Sequence, residues 1–140
     1  MRIVLDEGAF KAFKPSRAHA GDAGLDLYTP RDVYIESKGS AIIGTGVHIE
    51  LPPNTVGEIK SKSGLNFKHG LTVPTGTVDY GYTGSIQVKV YNHSNQPYTF
   101  KRGDKIAQLV VCPILLPEIE VVDSLEDTER GDNGFGSTGR

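Results

Sequence analysis

Five short segments of this chain each pair glycine with a side chain able to do chemistry. In Gly76-Thr77-Val78-Asp79-Tyr80-Gly81-Tyr82-Thr83-Gly84, a carboxylate ends an apolar run and Tyr82 follows three residues later across a glycine-rich turn. A carboxylate so placed can take a proton from water. Ala23-Gly24-Leu25-Asp26-Leu27 sets another carboxylate between apolar neighbours. Lys62-Ser63-Gly64-Leu65 offers an ammonium, a hydroxyl and close backbone approach where a helix should start, a seat for phosphate. Arg102-Gly103-Asp104-Lys105-Ile106-Ala107-Gln108 ends with an amide inside an otherwise apolar strand. The fifth segment is residues 130–140: Arg130 supplies a guanidinium, Phe135 an aromatic face, and Gly136, Ser137 and Thr138 bare N–H groups and hydroxyls. Four of the last ten residues are glycine, too costly in entropy to order unaided, so this stretch reads as a flexible arm that orders over a phosphorylated ligand or as a frayed terminus. Each internal segment also has a structural reading. Asp26 could cap a turn, Ser63 a helix; Tyr82 could be core and Gln108 a satisfied buried amide.

Other devices are missing from the sequence. It contains neither a G-x-x-x-x-G-K-[ST] phosphate loop nor a G-x-S-x-G nucleophile elbow. His19, His48, His69 and His93 are too scattered for a local metal motif and read as surface or loop residues. A net charge of −2 with no long basic run gives no nucleic-acid footprint, so direct binding to nucleic acid is not expected. Cys112 is the lone cysteine, which fits a reducing compartment. No signal-peptide stretch opens the sequence and no run approaches a membrane span. The expected location is the cytoplasm, with a cellular, viral or phage source. The Arg-Gly-Asp triplets at 102 and 130 and the Asn92-His93-Ser94 acceptor pattern would need export, and are set aside.

The elements that must position these groups are short strands. With 17 glycines and 8 prolines in 140 residues, many strands joined by turns are favoured over helices. Strand-like runs cover residues 2–5, 33–36, 40–48, 56–61, 71–73, 85–92, 98–101, 105–112 and 118–122. The run 85–92 alternates, with Ile86, Val88 and Val90 on one face. Pro52-Pro53-Asn54, Asn92-His93-Ser94-Asn95 and Arg102-Gly103-Asp104 supply turns. One short helix is expected from Ser63 to about Lys68. The pattern points to an all-β sandwich or jelly roll. One domain spans residues 1–129, with an arm at 130–140.

In their order and spacing the five segments resemble the five motifs of the trimeric dUTPases, across residues from about 20 to 139. The resemblance implies a distorted jelly roll of the β-clip type and a threefold homotrimer with active sites at subunit boundaries. It implies hydrolysis of dUTP to dUMP and pyrophosphate, which keeps uracil out of DNA and supplies dUMP for thymidylate synthesis. Asp79 matches the carboxylate that activates water against the α-phosphorus, and Gln108 the amide beside that water. Ser63 and Gly64 match phosphate contacts, with Lys62 beside them. Thr75 and Gly76 match backbone groups that pair with uracil; cytosine would reverse the donor and acceptor, a discrimination of roughly 10⁴. Tyr82 would lie against the deoxyribose and exclude a 2′-hydroxyl. Phe135 would stack on uracil, Arg130 would pair with the terminal phosphate, and Gly136, Ser137 and Thr138 would complete the arm. Magnesium would ride mainly on the triphosphate, with Asp26 acting through one of its waters.

Two departures touch charge. Lys62 stands where the family usually has arginine, keeping the charge but losing the fork of guanidinium, and Lys105 does the same in the fourth motif. Arg102-Gly103 replaces the commoner Pro-Gly or Lys-Gly. The rival readings are a dCTP deaminase of the same fold, which lacks the Asp-then-Tyr hairpin and this arm, and a jelly-roll module that binds without turnover.

Overall fold

The computed structural model describes residues 1–134; Phe135, Gly136, Ser137 and Thr138 lie outside the described residues. In chain order the elements are β1 (Arg2–Leu5), β2 (Gly24–Tyr28), β3 (Val33–Ile35), β4 (Ser40–Gly44), β5 (Val47–Glu50), β6 (Thr55–Lys60), α1 (Ser63–His69), β7 (Leu71–Thr72), β8 (Gly76–Val78), β9 (Gln87–Asn92), β10 (Tyr98–Phe100) and β11 (Lys105–Pro113). The strands form a four-stranded sheet β2-β11-β6-β8, a three-stranded sheet β4-β9-β7 and two ribbons, β1-β5 and β10-β3. Every pairing is antiparallel. This is the jelly-roll-like, all-β architecture with one short helix that the spacing of the runs implies.

The core forms where apolar faces of these sheets and ribbons meet. Leu27, Ile35, Ile43, Val47, Leu71, Ile86, Val88, Val90, Phe100, Ile106 and Leu109 are fully buried. Each large apolar side chain so placed contributes roughly 1.5–3 kcal/mol. β9 shows the alternation plainly: Val88, Val90 and Asn92 point inward while Gln87, Lys89 and Tyr91 point out. Asn92, part of the glycosylation-like pattern, is buried, and its amide holds the carbonyls of Glu36 and Gln96 at 3.0 and 2.8 Å.

Four local features differ from the reading of the sequence. The run 40–48 is two strands, because the buried Thr45 hydroxyl donates to the Ile86 carbonyl and accepts the Val47 N–H, breaking the ladder between β4 and β5. β2 was not among the expected strands: Leu25, Asp26 and Leu27 are all buried, which erases a period of two. Residues 118–122 form no strand; Ile119 and Val121 are exposed, and among the described residues nothing pairs with them. Ser63 does not cap α1: Lys62 holds the N-cap position without a side-chain bond to the helix's N–H groups, and Ser63 begins the helix. The helix ends where Gly70 adopts φ 65° and its N–H donates to Asn66.

Candidate active site

Three strands and the approach to α1 bring the first cluster together. In antiparallel pairing, residues directly opposite share a face. Gln108 of β11 stands opposite both Asp26 of β2 and Lys60 of β6, while Lys105 stands opposite Tyr28. Lys105 and Gln108 are three apart, so a regular strand would send them to opposite faces. A register shift between Lys105 and Ala107 inserts one extra residue and brings both to the Asp26 side.

Asp26 is 4% exposed and accepts from two ammonium groups, Lys62 and Lys105, the latter at 2.7 Å. Burial alone would push its carboxyl up; the hydrogen bonds and charges of Lys105 and Lys62 outweigh burial and hold it below the usual carboxylate range. Lys105 is raised in turn, mainly by its hydrogen bond to Asp26. The stabilisation is therefore complete above about pH 4 and is lost as pH falls through the lowered Asp26 value. The two lysines that replace the usual arginines thus converge on one carboxylate. Gln108 donates from Nε2 to the Ser61 carbonyl at 2.9 Å. Its Oε1 lies over Gly24, where a β-carbon would overlap it. Ser61, which sequence reasoning did not single out, also ties Val73 to the end of β6 through bonds of 2.7 and 3.0 Å. Asp26, Lys62, Lys105 and Gln108 line a cleft of about 340 Å³, floored by Ala23 and Gly24. Ser63 and Gly64 are exposed in the first turn of α1, and a β-carbon at Gly64 would meet open space.

The second cluster is the turn after β8. Tyr82 N–H donates to the Asp79 carbonyl at 3.1 Å, and Gly81 at φ 89° supplies the left-handed third position of that turn. Asp79 is exposed at its start. The Tyr82 ring folds back over Gly84, where a β-carbon would overlap it, and its hydroxyl donates to the Ser85 carbonyl at 3.1 Å. Thr75 precedes β8 and Gly76 opens it; β8 is the outer strand of its sheet, so alternate backbone groups face away from β6. A groove of about 810 Å³ runs beside the turn, lined by Tyr80, Gly81, Tyr82 and Thr83 and by β1 and β5.

The structure does not bring the two clusters together within one chain. Val78 pairs with Gly57 while Gln108 pairs with Lys60, and β8 and β11 lie on opposite sides of β6. Asp79 therefore sits roughly 13 Å from Gln108 along the strands, and about 10 Å across them. The two cavities share no lining residue. Arg130 is exposed, with Nε donating to the Asn133 carbonyl at 3.0 Å. Among the described residues no three His, Cys, Asp or Glu side chains cluster as a metal cage. Asp22 and Asp26 are the carboxylates of the lysine-lined cleft, with Asp26 held by both lysines, and a cation carrying its own phosphate and water ligands fits a site that offers so few protein oxygens. Among the described residues no helix is long and apolar enough to cross a membrane.

This all-β fold, with a basic cleft and an exposed Asp–Tyr turn, defines a hydrolase of nucleotide metabolism once its relatives are considered. The dUTPase family model matches residues 11–139. The deoxyuridine 5'-triphosphate nucleotidohydrolase of Clostridium kluyveri is 47% identical over 99% of both chains. That of Gloeothece citriformis is 48% identical, over 99% of this chain and 97% of its own. Among solved structures, a dUTPase mutant of Staphylococcus bacteriophage 80alpha with dUpNHpp superposes with a TM-score of 0.90 at 29% identity, covering 99% of each chain. A dUTPase mutant of the S. aureus phage phi11, described for coordination of a structural Mg(II) ion, gives a TM-score of 0.81 at 28% identity, over 91% of this chain and 100% of its own. The chain belongs to the dUTPase family.

Proposed function

We propose that this enzyme hydrolyses dUTP to dUMP and pyrophosphate with Asp79 as the base for the attacking water. Family membership carries the overall reaction. The observation that carries the assignment to Asp79 is its exposed position at the start of a glycine-pinned turn that also presents Tyr82. Asp79 accepts the water's proton as the oxygen approaches the α-phosphorus. Gln108 orients that water without adding charge, its amide steadied by Ser61. Lys62, Ser63 and Gly64 contact the phosphates. Thr75 and Gly76 offer outer-edge backbone groups of β8 to uracil, and Tyr82 screens the 2′ position. Arg130, Phe135, Gly136, Ser137 and Thr138 close over the bound nucleotide.

Magnesium bound to the triphosphate would neutralise charge on its oxygens, with Asp26 as the water-mediated protein contact. The phi11 relative is described for the coordination of a structural Mg(II) ion, which shows that a member of the family binds this metal but not that it rides on the substrate. Domain 1–129 then holds the nucleotide and residues 130–140 cover it.

A homotrimer completes the site. Its support is the separation of the two clusters, together with Leu115, Leu116, Ile119, Val121 and Leu125, which one chain leaves exposed. A free, half-buried Cys112 supports action in a reducing compartment such as the cytoplasm. Pyrophosphate release should be assayed across dUTP, dCTP, dTTP and UTP, for the native protein and for Asp79→Asn. We expect turnover of dUTP alone and a loss of about a thousandfold in the variant. A full rate in Asp79→Asn refutes the role of Asp79, and ammonia release from dCTP would replace the reaction itself.

A further inference from the structure

His48 on β5 reaches into the groove beside the Asp79 turn. Its Nδ1 lies 2.8 Å from the carbonyl oxygen of Thr83, and its Nε2 lies 3.1 Å from Oδ1 of Asp6. Both partners are acceptors, because a carbonyl and a carboxylate carry no proton to give. A neutral imidazole has one N–H and would turn a lone pair toward one of them. Only the imidazolium donates to both.

The two ends of this bridge differ in character. Asp6 is a fixed point: its N–H donates to the Gly46 carbonyl at 2.8 Å, and its own carbonyl accepts the Ala12 N–H at 2.9 Å. Thr83 belongs to the turn, directly after Tyr82 and directly before the glycine on which the Tyr82 ring lies. Hydrogen bonding to Thr83 raises the His48 pKa above the usual imidazole value; partial burial opposes this and Asp6 reinforces it. The remaining charged groups of the groove are Arg2 and Glu50, which pair with each other across the β1-β5 ribbon. Tyr80 and Tyr82 contribute only phenols.

We propose that His48 is a positioning residue for the reaction. As imidazolium it ties the turn bearing Asp79 and Tyr82 to the β1-β5 ribbon; the neutral ring keeps one N–H, which the anionic Asp6 carboxylate claims as the stronger acceptor, so the bond to Thr83 is the one released. The inference rests on the roles given above to Asp79 and Tyr82. The bridge is complete at low pH and is lost as pH rises through the raised His48 value, because deprotonation removes a donor.

The test compares the full-length protein with His48→Gln. The ratio of their kcat/KM values for dUTP is measured from about pH 5.5 to about pH 9, so that pH effects common to both cancel. NMR of the native protein follows the His48 imidazole and the amides of Thr83 and Gly84 over the same range. We expect a ratio of about tenfold at the acid end, since small misplacement of reacting groups costs one to two decades. It should fall toward one with the midpoint at which His48 titrates, and both amides should shift with that midpoint. Asp6→Asn should move the midpoint to lower pH, and this variant keeps the test open where His48→Gln does not fold. A pH-independent ratio, a His48 that titrates at or below about 6.5, or amides that ignore it would overturn the proposal. The titrations need no turnover. Full activity of Asp79→Asn would sink the site assignment, whereas silent Thr83 and Gly84 amides would sink the His48 tie.

Discussion

At the scale of the residue, the site is built from groups that hold each other in place. Gln108 has one amide hydrogen committed to Ser61, and its oxygen rests where only a residue without a β-carbon, Gly24, leaves room. Gly24→Ala should therefore turn the amide away while leaving the apolar core intact. We expect kcat for dUTP to fall about tenfold or more, with stability lowered by about 0.5–1.5 kcal/mol for the lost hydrogen bond. Paired kinetic and urea-unfolding measurements check this; an unchanged kcat would mean that the amide position does not serve the reaction. The lysine substitutions read differently in the structure than in the sequence. Lys62 and Lys105 looked like separate departures from an arginine pattern, yet they share Asp26. Each lysine reaches a different oxygen of that carboxylate, a contact for which a point charge suffices.

At the scale of the element, irregularities do the placing. The extra residue between Lys105 and Ala107 turns β11 so that Lys105 and Gln108 face one cleft. The left-handed Gly81 closes the Asp79 turn, and the helix α1, which buries none of its own residues, presents Ser63 and Gly64 to solvent. Residues 130–133 are exposed and Gly134 is half-buried, and among the described residues their hydrogen bonds stay within the segment 128–133. Deleting residues 130–140 should accordingly leave the melting temperature within a few degrees of the native value, because little apolar area is lost. It should lower kcat/KM for dUTP by about a hundredfold or more, since groups proposed to close over the nucleotide are gone. Calorimetry and steady-state kinetics on the shortened chain check both halves, and a large fall in melting temperature would assign the segment a structural role instead.

At the scale of the whole molecule, the decisive fact is separation. One chain sets Asp79 and the Asp26–Lys62–Gln108 cleft at different ends of the four-stranded sheet. If each site takes its base from one subunit and its amide from another, two inactive variants should rescue each other. Asp79→Asn and Gln108→Ala proteins, unfolded and refolded together, should regain a substantial fraction of native turnover, while each refolded alone stays inactive. Native mass spectrometry identifies the mixed assembly. No rescue from mixed assemblies would place both residues in one chain's site.

Local chemistry was legible in the sequence because it is written in local terms. Glycine beside a functional side chain marks Asp26, Ser63, Asp79 and Gln108, and a period of two marks β9. The split of the 40–48 run, the hidden strand β2 and the unpaired residues 118–122 were not legible, since each depends on what lies across the chain rather than along it. The same holds for the site. No spacing rule links Lys105 to Asp26, Gly24 to Gln108 or His48 to Thr83, residues between 35 and 84 positions apart that meet only when a bulge or a strand pairing brings them into contact. Sequence determined which groups the protein owns; tertiary structure decided which of them share a proton, a charge or a cleft, because those interactions act over a few ångströms of space.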